Sequence, residues 1–212
     1  MRDVGQNTMK TTLLLTLAIC ATTIPGFSLD KEQFMPIAKG MMTFPERPTE
    51  AAFRAVESKM DALSKIEDKE EAKHVTTIGA AFLAAAHKKH GYPFQRTGIF
   101  TSRAKEIVSG KGSFAKYILD DNDVDNSKFD VWWMSYLGSQ DDEYLRKILK
   151  WAGSPQPKND LARSAFIHTA TWSFKSNCQQ IKGVKDFANR SSTDPRYKDK
   201  WAFLKTCAET KK

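Results

Sequence analysis

Asp160, Ser164 and His168 follow one another at i, i+4 and i+8, which puts a carboxylate, a hydroxyl and an imidazole on one helix face. These are the residue types of a hydrolytic triad. Helix geometry argues against that chemistry, because side chains on successive turns stand side by side about 5–6 Å apart at Cβ. No G-x-S-x-G elbow strains the serine into exposure either. The expected roles are structural: Asp160 caps a helix, Ser164 bonds to backbone and His168 makes one buried hydrogen bond. Two metal-type arrangements are incomplete in the same way. Asp121, Asp123 and Asp125 alternate like calcium ligands, yet the sixth and twelfth places hold Asn126 and Trp132 where Gly and a bidentate Glu are required. His87 and His90 lie at i, i+3 with Lys88 and Lys89 between them and no third ligand nearby. HExxH, paired CxxC motifs and a phosphate-cradling glycine loop are absent from the sequence. The residues therefore predict a non-catalytic protein with no cofactor and no metal; the alternative is a small hydrolase of envelope polymers.

Binding is the remaining chemistry. Trp132, Trp133 and Tyr136, with Trp172 and Trp201, form a dense aromatic group, able to stack on sugars or cover acyl chains if exposed and to fill a core if not. Lys175 to Lys212 holds ten Lys and Arg against four Asp and Glu, whereas Leu29 to Phe174 holds 21 against 20. Such a localised positive segment attracts anions over about 8–10 Å at physiological salt. Within it, Lys198, Lys200 and Lys205 share a stretch with Tyr197, Trp201 and Leu204, so a helix docked through its apolar stripe would present the lysines outward. The expected partner is a protein or an anionic envelope component. Peripheral membrane contact fits the charge, and nucleic acid is not expected.

The compartment follows from the N-terminus. Lys10, the apolar run Leu13 to Ala21, and Gly26 and Ser28 have the order of a secretory signal peptide, with Met9 as an alternative start. The apolar run is about half of the ~20 residues a spanning helix needs. Residues 1–28 are expected to be removed after Ser28, giving a secreted or periplasmic product. Cys20 would be a lipid anchor for an adaptor lipoprotein only if a small residue preceded it, and Ile19 is bulky. Cleavage leaves Cys178 and Cys207, an even pair that an oxidising compartment can join. A disulfide between them would close a loop of about 30 residues and contribute roughly 3 kcal/mol; the alternative is two buried thiols on helix faces.

The elements that must position these residues are helical throughout. Apolar residues recur at three- and four-residue spacings, broken by Pro, Gly and Asn/Asp clusters, and nothing alternates at period two. Thr49 caps a helix with Ala52, Phe53, Val56, Met60 and Leu63 inward and Arg54, Glu57, Lys59 and Asp61 outward. Gly91 and Gly138 are read as helix ends, Pro36 as a bend, and Asp194-Pro195 as the start of one continuous final helix. The helix from about Asp160 to Cys178, apolar around much of its circumference, is expected at the centre. The predicted fold is all-α: over residues 29–212, a single-domain irregular bundle or short α-solenoid of about eight helices, with its basic C-terminal segment at 175–212.

Overall fold

The computed structural model describes residues 31–63, 69–120 and 126–209. Among them the fold is all-α, with ten α-helices and no strand. Within the helical region expected over 29–212, the helices group into two compact units, Lys31 to Asp141 and Asp142 to Glu209. The signal segment 1–28, Cys20 and the run Asp121 to Asp125 lie outside the described residues.

The first unit contains α1 (Lys31–Thr43), a 3-10 turn (Phe44–Glu46), α2 (Glu50–Leu63), α3 (Lys69–His90), α4 (Ile99–Ser109), α5 (Ser113–Leu119) and α6 (Asn126–Ser139). Thr49 caps α2 as expected, its Oγ1 accepting from Ala52 N at 3.2 Å. α1 continues through Pro36, which costs it one backbone hydrogen bond near its start. The heart of the unit is α3 lying against α6 and α4. Ala80, Ala81, Ala84, Ala85 and Ala86 of α3 are buried, and these small side chains bring the neighbouring backbones close. Gly138 explains why α6 comes so near. A Cβ there would lie 2.5 Å from Phe82 O and 3.0 Å from Ala86 N. This glycine serves helix contact and stays inside α6, contrary to its reading as a helix end; the chain turns instead at Gln140, with φ of 57°.

Two buried charges tie loops to this unit. Glu57 is 2% exposed and its carboxylate accepts from Gln95 N and Arg96 N at 3.1 Å and from Thr101 Oγ1 at 3.2 Å. Its expected outward position is corrected because the 91–98 loop folds over it. Lys128 is fully buried: Nζ donates to Asp120 O at 2.6 Å and to Tyr117 O, and lies 4.4 Å from the Tyr117 ring centroid.

The second unit contains α7 (Asp142–Leu149), α8 (Leu161–Gln180), α9 (Lys182–Ser191), a 3-10 turn (Pro195–Lys200) and α10 (Trp201–Glu209). Asp160 caps α8 by accepting from Arg163 N at 2.9 Å. α8 packs on α7, α9 and α10 through Ile167, Ala170, Phe174 and Cys178. It is not enclosed as expected, because its opposite face carries the exposed Leu161 and Trp172. The final segment is also not one helix. It is a 3-10 turn, kinked inside at Tyr197 whose φ of −118° is non-helical, followed by α10 from Trp201.

Gly138→Ala should lower unfolding stability by about 1–3 kcal/mol, since the added methyl meets backbone that cannot rotate away. Urea denaturation checks this; an unchanged midpoint would mean that the α3–α6 approach is not close-packed at this point.

Candidate functional site

The structure separates the candidate binding residues into core and surface. Trp132, Trp133 and Tyr136 are all buried. Phe129 meets Trp132 edge-on at 5.6 Å, and Trp133 meets Tyr136 edge-on at 6.3 Å. Adjacent tryptophans on a helix point about 100° apart, yet both are inside, because α6 is flanked by α3, α1 and the Phe44–Glu46 turn. An aromatic ligand groove at these residues is therefore corrected to a core.

Lys200 is corrected as well. It is 8% exposed, and Nζ donates to Ala152 O at 2.8 Å, Ser154 Oγ at 2.7 Å and Lys150 O at 3.4 Å. It ties down the turn that follows α7. Desolvation pulls its pKa below the ordinary lysine value, against the pull of Asp199. The break at Tyr197 takes Lys200 off the expected helical face and turns it inward. Trp201 is half-buried and its Nε1 donates to Asp194 O at 2.9 Å, which fixes the same junction.

Lys198 and Lys205 are exposed as the sequence suggested. Arg146, Lys150, Lys158, Arg163, Lys175 and Lys182 of the same unit are exposed too. Arg190 and Arg196 are held in ion pairs, with Asp142 at 2.9 Å and Asp194 at 2.6 Å. Residues 142–212 contain fifteen Lys and Arg against seven Asp and Glu, a net +8, whereas residues 1–141 contain eighteen of each. The boundary between compact units is thus also a boundary in charge.

Cys178 and Cys207 meet in this unit, but as free buried thiols, so the expected bridge is absent from the structure. The hydrogen bond with Cys207, then burial, pushes the Cys178 thiol up; the same bond, with Lys175 beside it, pulls Cys207 down. In the structure the Cys178 thiol donates to Val184 O at 3.9 Å.

The residues resembling a triad do not assemble. Asp160 is occupied as a cap, Ser164 Oγ donates to Gln156 Oε1, and His168 is exposed where a buried hydrogen bond was expected. No group of three or more metal-ligating side chains occurs among the described residues. His87 and His90 are stacked against the loop that follows α3. His87 lies on Phe94 at 4.5 Å with Nδ1 2.8 Å from Tyr92 O, and His90 lies on Tyr92 at 5.3 Å. Nε2 of His90 is buried without a partner among the described residues. Burial lowers the His90 pKa from 6.5, with the Gly138 backbone opposing and Lys89 adding to the shift. Sequence reading missed Glu57 and Lys128, whose burial has no local pattern to announce it. Trp172, read both as a member of the aromatic group and as part of the apolar circumference of its helix, lies at the surface.

No family of known proteins, curated protein or solved structure matches the chain.

Lys200→Met should cost about 1–3 kcal/mol by leaving buried acceptors without a donor, while Lys198→Gln and Lys205→Gln should each shift stability by about 0.5 kcal/mol or less. Equal effects in chemical denaturation would contradict the division. For His90, the unfolded chain binds more protons than the folded one below about pH 6.5, so its contribution is present above that pH and is lost as the pH falls toward the depressed value. His90→Gln should accordingly flatten the stability profile between about pH 7 and 5 relative to wild type. Parallel profiles would show that the buried imidazole contributes nothing to it.

Proposed function

We propose that this protein is an exported, non-catalytic binding protein that attaches to an anionic component of the cell envelope through residues 142–212. The observation that carries the reading is the charge division: the net +8 of the whole chain lies in the second unit, and the first is neutral. Ion pairs within the unit engage Arg190 and Arg196 but leave Lys198 and Lys205 exposed beyond the packed stripe of α10. A field of this kind draws the protein toward a polyanion and is weakened by salt. Export follows from the order of Lys10, Leu13 to Ala21, Gly26 and Ser28, and it places the basic unit where phosphate-rich lipids and polymers are the abundant anions. Binding here needs no reacting group, in keeping with the structural roles of Asp160 and Ser164.

The test is partition of the protein onto vesicles containing phosphatidylglycerol at low and high salt, with dextran sulfate as a soluble polyanion. Wild type should bind both, and salt should release it. Each lysine near an anionic surface contributes about 1 kcal/mol, so Lys198→Gln with Lys205→Gln should weaken binding about thirtyfold and reduce its salt dependence. Unchanged binding at low salt would remove the basic unit from the account.

A further inference from the structure

α8 presents a stripe that its own unit does not use. Leu161, Ala165, His168 and Trp172 recur at i, i+4, i+7 and i+11 and are all exposed, Leu161 at 89% and Trp172 at 43%. They lie opposite the buried Ile167, Ala170, Phe174 and Cys178, and span about 16 Å along the axis at 1.5 Å per residue. Lys175 continues the stripe three residues beyond Trp172, with Nζ 5.8 Å from the Phe203 ring. α8 has no acidic residue; its charges are Arg163 and Lys175.

The surroundings of the stripe select its occupant. A second copy would bring another +8 unit against this one, and like charges oppose such an approach. A partner helix is read through charges beside its apolar seam, but the flanking positions here are Ala162, Ser164, Thr169 and Thr171. An anionic bilayer meets both requirements. Its headgroups complement the cations of the unit, and its interface accepts a tryptophan ring and a leucine side chain from a helix lying in the plane.

We infer that α8 is the membrane-contacting element of this protein: it lies in the interface of an anionic bilayer, with Leu161 and Trp172 entering between headgroups while Lys175 and other exposed cations of residues 142–212 hold lipid phosphates. The inference rests on the proposed attachment to an anionic envelope component and names both the component, a lipid surface, and the helix that meets it.

The experiment compares the full chain with Leu161→Ser/Trp172→Ser on vesicles of phosphatidylcholine and phosphatidylglycerol, with acyl-brominated lipid as a quencher and dextran sulfate as the soluble control. Both chains carry the same N-terminal segment, so their difference reports the stripe. Both residues are exposed, so thermal melts should coincide; Leu161→Ser alone, at the more exposed position, provides a second variant. The expected result is a fall in vesicle partition of about tenfold or more for the double variant, loss of part of the tryptophan quenching, and unchanged binding to dextran sulfate. Wild-type partition by the double variant would overturn the inference and leave the basic-unit reading standing. Binding of wild type to dextran sulfate but not to vesicles would do the same. A wild-type dimer in sedimentation that the double variant abolishes would assign the stripe to a second copy. Failure of wild type to bind either anion would overturn the underlying reading and this one with it.

Discussion

A buried charge is tolerable only when polar groups surround it, and in this protein the loop and turn backbone supplies many of them. Glu57 gathers the amides of Gln95 and Arg96, Lys128 takes the carbonyls of Tyr117 and Asp120, and Lys200 takes those of Lys150 and Ala152. Each charge thereby fixes a stretch of chain that helix packing alone would leave free. Lys200 matters most for the surface. By drawing the end of the 3-10 turn onto the turn that follows α7, it sets where α10 begins. α10 in turn brings Phe203 to Phe174 at 5.7 Å and Cys207 to Cys178. Once those contacts are made, the cations that remain exposed and the outer face of α8 are determined.

How much of this was legible depends on whether the cause is local. Caps are local: Thr49, Asp160 and Gly91 could be read because each acts on residues three or four positions away. Gly138 has the same residue type as Gly91 but answers to a neighbouring helix, so local reading assigned it the wrong task. Trp132 and Trp133 failed for the same kind of reason, since whether one or both rings are covered depends on how many helices surround α6. The break at Tyr197 was hidden by an apolar spacing that suits a continuous helix, and Lys200 was misplaced with it. The exposed face of α8 was missed because uniform apolarity was taken to mean enclosure, whereas unit 142–212 has neighbours for only one side of that helix.

The two units divide the physical tasks. The neutral unit is held together by small-residue contact between α3 and α6 and by its buried charges, and its aromatic mass lies inside. The basic unit has a core centred on Phe174, Phe187 and Leu204 and directs charge and two large apolar side chains outward. Chemistry that requires converging acid, base and nucleophile is not built from Asp160, Ser164 and His168, each of which has a separate environment. Long-range attraction followed by short-range apolar contact is what the second unit is equipped to supply.

The central claim, that attachment resides in residues 142–212 and is led by α8, is tested most directly by amide hydrogen exchange of the full chain with and without vesicles containing phosphatidylglycerol. The account predicts new protection in peptides from α8 and the exposed basic turns of 142–212, removed by high salt, with exchange in α2 through α6 unchanged. Protection concentrated in α2 through α6, or protection of α8 that survives high salt and occurs equally on uncharged vesicles, would contradict it.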